Sequence, residues 1–446
     1  MNKLFTFLIF TLGLCAQENS ISFSLEEAIT FALSNNKSAL ESQNNVRLAE
    51  LQKWETTSTG LPQINADISY NSWIQQQIIL VPAIYLGGEP GDFSELAFGN
   101  EKTINSTLTI TQKIFDGSYL VALQASKVYL SISKNALEKT NNELRKAVTN
   151  AYGNVLLTEE NIKILDSNIR VIEKNIFELE KVYQNGMTEL ESIEQLQLTL
   201  SGLLSARNYN LILKELAYEM FNLTIGLKFN SNVNLTDSMK DLIERTIIKS
   251  PTIKKNTFEN TTDFKIALNN LKSKELLLKL EKSKALPSLD AFINGTYIGN
   301  GNSFNFLDKS QKWFGASLFG INMSIPIFSS LGRSASTKKA KINVEKSKRD
   351  LLTTRQEIEI KIKRAENEFN FAQQNLQIKN QALSLARKIE KKNQIKFSEG
   401  ISSSFELSQA QTQLYNAQKE YIEAMLDVLN KHISLDILLN PNTENK

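Results

Sequence analysis

Cysteine and histidine are almost missing from this chain, with one of each in 446 residues, Cys15 and His432. A disulfide scaffold, a thiolate zinc site and a histidine-based catalytic centre are thereby excluded. Proline (7) and glycine (18) are few and clustered, so long stretches carry no breaker and favour long helices. Neither sign of charge dominates, with 51 Lys+Arg against 48 Asp+Glu, and nucleic acid is not an expected partner. There is also no glycine-rich phosphate loop and no paired metal motif. His432 falls in the terminal helical pattern, where packing or capping accounts for it. The reading is therefore not an enzyme, with no catalytic residue, no metal and no cofactor.

At the start, Lys3 precedes an apolar run over residues 4–14, followed by Cys15-Ala16-Gln17. The run is too short to span a membrane and reads as a signal peptide, 1–16, cut near Ala16. A buried amphipathic start is the competing reading. Cys15 also allows lipid attachment, although Leu14 before it is larger than lipoprotein signals prefer. Cleavage at Ala16 leaves an exported chain without cysteine. Asn105-Ser106-Thr107 and Asn222-Leu223-Thr224 match glycosylation acceptors only at chance level.

What is present is a pattern stated twice. Leu61-Pro62 opens an alternating segment, Ile114-Phe115-Asp116-Gly117 closes a second, and a long helical pattern runs to Gly186. Leu286-Pro287, Ile327-Phe328-Ser329-Ser330 and Gly400 repeat that order. The expected division is a first repeat over 17–227 and a second over 228–440, with a flexible tail at 441–446. Strands are placed at about 62–76 and 105–116, then at about 287–299 and 314–328.

In Ile64-Asn65-Ala66-Asp67-Ile68-Ser69-Tyr70-Asn71 apolar and polar residues alternate, as a strand with two different faces requires. A soluble sheet over a core is the ordinary explanation. Segments of about ten residues in an exported chain, with Asn, Asp, Ser and Thr on the polar face, favour tilted membrane strands instead. Four strands cannot close a barrel, and an open edge in hydrocarbon leaves backbone groups unpaired. Several copies must combine, and two or three both satisfy the count. Residues 77–104 and 299–313 are rich in turn formers and read as outer surface loops, with Trp73 and Trp313 either at the lipid interface or packed within a loop.

Helices are expected over 118–183 and 332–397, and about 66 residues at 1.5 Å each give roughly 100 Å. Ile169, Ile172, Ile176, Leu179 and Tyr183 keep steps of three and four, as do Ile358, Ile362, Ala365, Phe369, Ala372, Leu376, Leu383 and Ala386. On the returning side Leu407, Ala410, Leu414, Ala417, Tyr421, Ala424 and Val428 do the same. Such heptads are coiled-coil seams. Gly186 and Gly400 are placed as C-caps, with Thr188 or Ser402 to Ser404 capping the helices that follow.

These residues resemble the TolC-like outer-membrane efflux proteins. The resemblance rests on the Leu-Pro strand openings, the Ile-Phe exits, the aromatic-x-x-Gly turns, and Phe405-Glu406-Leu407-Ser408-Gln409-Ala410-Gln411 after the second turn. Ser24-Leu25-Glu26-Glu27-Ala28-Ile29 looks like the family's first helix, and Leu242-Ile243-Glu244-Arg245 echoes it. The resemblance implies an α+β membrane protein. Three chains of four strands each would form a 12-stranded β-barrel, continued by a periplasmic barrel of coiled-coil hairpins.

It further implies an exit duct of a tripartite efflux or type I secretion system, passing substrates without chemistry. The implied partners are a homotrimer, a periplasmic adaptor protein, an inner-membrane pump of the RND, ABC or MFS kind, and outer-membrane lipid. Carboxylates past the second turn ring the entrance in the family, and the matching positions here are Glu406 and Gln409. Glu191 and Ser192 stand in comparable places in the first repeat, with Glu189 and Glu194 near. Ser402 occupies the position where some members have an Arg latch. An entrance held by hydrogen bonds or packing, with Tyr183 and Phe397 taking part, is expected in place of ion pairs. Tyr183, Gly186, Phe397 and Gly400 are also the expected adaptor docking positions. The alternative is a non-conducting exported coiled-coil stalk or adhesin; a periplasmic adaptor would carry one hairpin and soluble β modules. Residues 18–36 and 228–250 and the segment after Leu438 are expected to wrap the helices as a belt.

Overall fold

The structure, a computed structural model, describes residues 21–97, 99–248 and 257–440. The expected signal segment with Cys15, and the tail 441–446, lie outside the described residues. In chain order the elements are β1 (Ile21–Phe23), α1 (Leu25–Asn35), α2 (Lys37–Ser58), β2 (Gln63–Ser72), β3 (Ile78–Pro82), β4 (Phe93–Ala97) and β5 (Lys102–Asp116). The first helical hairpin is α3 (Gly117–Gln184) and α4 (Leu190–Ile225). Then follow β6 (Val233–Leu235), α5 (Met239–Ile248), α6 (Thr262–Ser283), β7 (Ser288–Gly301) and β8 (Trp313–Ser324), and the second hairpin, α7 (Gly332–Ser398) and α8 (Ser404–Leu439). No helix among the described residues is long and apolar enough to cross a membrane.

The described residues divide into two compact units. One holds residues 47–132 and 268–351. It contains a four-stranded antiparallel sheet in the order β2-β5-β7-β8. β2 stops at Ser72, short of 76, and the chain turns off into a hairpin of β3 and β4, joined by a 3-10 turn at Ala83–Leu86. That hairpin lies inside the stretch expected to be loop; Pro82 and Gly87-Gly88 dominate the local signal and hide two five-residue strands.

β8 ends at Ser324, short of 328. Proline has no N–H for a ladder, and Pro326 lies two residues on. The chain then enters α7 through Ser330 and Leu331, both left-handed at φ 48° and 65°. The Arg333 guanidinium donates to the Pro326 and Ile327 carbonyls at 2.7 and 3.2 Å and to Ser329 Oγ at 3.1 Å, clasping that exit. In the first repeat the corresponding exit is simpler: Asp116 accepts from the Ser118 and Tyr119 amides, capping α3.

The other unit holds residues up to 46, 133–267 and 352 onward. Its core contains Tyr152 and Phe221, both fully buried with rings edge to face at 5.7 Å, together with Val148, Val155, Phe369 and Val428. The short parallel pair β1–β6 and helices α1 and α5 pack on it. Ser24 and Glu27 form a capping box at the head of α1. The Tyr152 hydroxyl sits 3.0 Å from the Phe23 carbonyl and 3.1 Å from Asp237 Oδ2, shares its proton between them, and accepts from the Asp237 N–H at 3.2 Å. Asp237 also accepts from the Leu25 N–H at 2.8 Å and pairs with Arg245. One carboxylate thus ties α1, α3 and α5 together.

Candidate functional site

The first candidate surface is the sheet. Strand register places Ile64, Ile110, Ile293 and Phe319 side by side, and likewise Ala66, Leu108, Gly295 and Ser317. Ile68 and Tyr297 share that face, which stays open: Ile68 is 76% exposed and Phe319 64%. The opposite face carries Asn65, Asp67, Thr107, Thr109, Asn294 and Thr296, with Thr107 and Thr296 hydroxyls 3.3 Å apart. An isolated soluble sheet would bury its apolar side. Among the described residues nothing covers the apolar side, and β2 and β8 end the sheet with unpaired edges.

Two cross-strand pairs show how tightly these strands are fitted. A Cβ on Gly320 would stand 2.5 Å from the Phe292 ring, and one on Gly299 would stand 3.1 Å from Trp313. Each aromatic lies over a glycine on the neighbouring strand, which fixes register by shape. Trp313 therefore has a packing role in addition to its 40% exposure.

The second candidate surface is the pair of hairpin ends. At Gly186, φ +70°, the N–H donates to Tyr183 O at 2.8 Å and the Met187 N–H to Val182 O at 3.1 Å. At Gly400, φ +71°, the N–H donates to Phe397 O at 3.0 Å and the Ile401 N–H to Lys396 O at 2.8 Å. These are two copies of one Schellman turn. A Cβ on either glycine would meet open space, so the left-handed backbone alone requires glycine there.

The helix starts differ. Ser403 caps α8 in a capping box with Glu406, and Ser402 Oγ donates to Glu406 Oε2 at 2.5 Å. That hydroxyl, followed by the Ser403 N–H, holds the Glu406 carboxyl below the usual range. In the first repeat Glu189 is the N-cap of α4 and makes no side-chain cap bond, so Thr188 does not cap it. The structure therefore joins Ser402 to Glu406 and leaves Gln409 and Glu191 exposed, with Ser192 half-buried. Phe397 packs against the cluster of Ile172, Ile176, Leu179, Ile193 and Leu196 from the other hairpin. Tyr183, expected in the same seam, is 42% exposed.

Above the ends, polar pairs link the two hairpins: Asn175 and Gln394 exchange amide hydrogen bonds at 3.1 and 2.8 Å, and Thr199 and Ser408 hydroxyls lie 2.6 Å apart. Asn168 donates to Gln418 at 3.0 Å. Beside them is a crevice of about 380 Å³ lined by Gln195, Gly202, Ser408 and Gln411. Gln411 is 5% exposed, and neither its amide oxygen nor its nitrogen has a partner. Sequence patterning missed this group, because a polar residue one step past a heptad position looks like ordinary surface. His432 packs beside Phe369, ring centroids 5.6 Å apart and planes tilted by 58°. Asn222 is 1% exposed and donates to the Phe229 and Ser231 carbonyls, so it is a structural amide and not a glycan site.

Residues 255–440 match the sequence model of the outer membrane efflux protein family. No curated protein matches the chain by sequence. Among solved structures, the outer membrane protein VceC from Vibrio cholerae is 15% identical and superposes with a TM-score of 0.71, over 93% of this chain and 95% of that one. CusC is 16% identical with a TM-score of 0.75, covering 93% and 91%. The Campylobacter jejuni CmeC outer membrane channel is 17% identical with a TM-score of 0.72, covering 94% and 87%. The second half of the chain thus resembles the outer membrane efflux family in sequence, and the whole chain shares the fold of these three structures.

Proposed function

We propose that this protein is the outer-membrane exit duct of an efflux or secretion assembly. Its strands close a barrel with those of other copies, and its helices form a periplasmic conduit. The observation that carries this is the four-stranded sheet with an exposed apolar face, a polar face of Asn, Asp and Thr, and two unpaired edges. Backbone groups at an edge in hydrocarbon cost several kcal/mol each, so insertion demands further strands. Three copies supply twelve, the trimer that the family resemblance implies. The same exposed face speaks against a non-conducting coiled-coil stalk, which needs no such sheet. The family matched over residues 255–440 is a transport family, and the chain is read as a passage that performs no chemistry.

At the hairpin ends, Glu406 is the carboxylate of the entrance, kept ionised by Ser402 well into mild acid. Three such groups in a trimer form a cation-attracting ring. The adaptor meets the paired turns at Gly186 and Gly400, and an inner-membrane pump feeds the conduit through it. Fractionation with heat-modified electrophoresis tests the assembly: a heat-dissociable oligomer in the outer membrane is expected, and a soluble periplasmic monomer overturns the reading. In planar bilayers, Glu406→Gln is expected to weaken divalent-cation block, with Glu191→Gln having the smaller effect. If neither changes conductance or block, the entrance assignment is wrong.

A further inference from the structure

The crevice of about 380 Å³ beside the hairpin seam is bounded by twelve residues of α3, α4 and α8, and none of the twelve is charged. In a chain that is 22% Asp, Glu, Lys and Arg, such a wall offers nothing to a metal ion or to an anion. Its volume stands at the lower end of the roughly 300–1,000 Å³ of small-molecule pockets, enough for one small ring. Three side chains on it keep hydrogen-bonding capacity to spare. Gln411, 5% exposed, has both its amide oxygen and its amide nitrogen unbonded. Gln195 and Tyr415, both half-buried, make no side-chain hydrogen bond among the described residues. Thr199 and Thr412 donate to the carbonyls of Gln195 and Ser408 at 3.0 and 2.9 Å, so towards the crevice they can only accept.

A second observation concerns the wall itself. Gly202 lies well inside α4, where glycine weakens a helix relative to alanine. It is not left-handed, and a Cβ built on it would meet nothing within 4 Å. Neither the backbone nor any neighbour in the chain calls for glycine there; its effect is to leave space at the edge of the crevice. The arrangement is also particular to the second hairpin. Counted from the helix starts Leu190 and Ser404, Gln197 holds the place on α4 that Gln411 holds on α8, and Gln197 is exposed.

We propose that this crevice binds the ring of a neutral N-acetylated amino sugar. The acetamide presents a donor and an acceptor in one rigid plane, as the Gln411 carboxamide does, and the two satisfy each other. Ring hydroxyls donate to Thr199 and Thr412 and accept from Gln195, while Tyr415 supplies an aromatic surface for the apolar side of the sugar. The ligand carries no charge, as the wall requires. A plain hexose lacks the acetamide and leaves part of the buried amide bare, which is the strong form of discrimination available to a polar site. The ring may be a sugar free in solution or the terminal residue of a glycan strand; the recognition chemistry is the same. The inference goes beyond the duct reading and does not depend on whether the strands close a barrel.

Titration of the full-length protein, held in a detergent without a sugar head group, decides the matter, with the unfolding midpoint as readout and N-acetylglucosamine, glucose and tri-N-acetylchitotriose as probes. N-acetylglucosamine is expected to raise the midpoint with its concentration, and glucose at the same concentration to leave it in place. A rise with the trisaccharide assigns the end of a glycan strand, and a rise with the monosaccharide alone assigns a free sugar. Gln411→Leu is expected to weaken binding by about tenfold or more. Gly202→Leu, which fills the open space from α4 with Gln411 intact, is expected to do the same. Because Gln411→Leu moves the starting midpoint, only the sugar-dependent increment counts. No rise with either N-acetylated sugar, an equal rise with glucose, or an undiminished rise in either variant overturns the assignment.

Discussion

Single side chains in this fold are most informative where they lack, or share, a partner. Gln411 hides a whole carboxamide without a hydrogen bond, and an unpaired buried polar group costs about 1–3 kcal/mol. Gln411→Leu is therefore expected to raise the unfolding midpoint of the detergent-solubilised protein by an amount equivalent to about 1–3 kcal/mol. An unchanged or lowered midpoint means that the amide is satisfied in the assembled protein. Asp237 is the opposite case. Burial pushes its carboxyl up, but the Leu25 N–H, Arg245 and Tyr152 together outweigh burial and hold it below the usual carboxylate range. A depressed folded pKa means that the stabilisation is complete above the unfolded value of about 3.9 and is lost as pH falls through the folded one. The protection factors of α1 and α5, exchange divided into its intrinsic rate at each pH, should accordingly be flat from neutral pH to about 5 and fall below about 4, and Asp237→Asn should abolish that acid limb.

At the scale of elements, the sheet gives a prediction from alternation alone. Ile321→Lys puts a charge on the exposed apolar face and is expected to abolish membrane insertion. Asn322→Lys, one residue away on the polar face, should insert and change ion selectivity instead. Equal tolerance of the two in a heat-modifiability assay would reverse the assigned faces. This alternation was legible in the sequence because its period is two, and the seams were legible because Ile358, Phe369, Leu407 and Val428 recur at heptad spacing and are all buried. Other elements were not. The β3–β4 hairpin is obscured by the turn formers around it. Helices α2 and α6 give no clear internal stripe; Leu48, Leu51 and Trp54 of α2 stay exposed, so their pattern refers to something other than this chain's core. Of the entrance residues, sequence pointed to Glu406 and to a cap among Ser402 to Ser404, but not to the Ser402 hydroxyl bonded to the Glu406 carboxylate. A Ser-x-x-Glu capping box reads the same whether or not the glutamate also serves a pore.

The whole molecule is incomplete by itself, and that has a kinetic signature. A chain with two open sheet edges cannot be stable in lipid alone, so insertion of unfolded protein into liposomes should rise more steeply than linearly with protein concentration. A strictly first-order insertion would mean that one chain closes its own barrel. A last consequence follows from the near-equal lengths of α3, 68 residues, and α7, 67 residues. Along such helices position is also direction: losing one residue shortens the path by only about 1.5 Å but turns everything beyond it by about 100°. Lineages of this chain should therefore drift in helix length by whole heptads, matched at equal depth in both halves, because only such steps return every side chain to the neighbour it left.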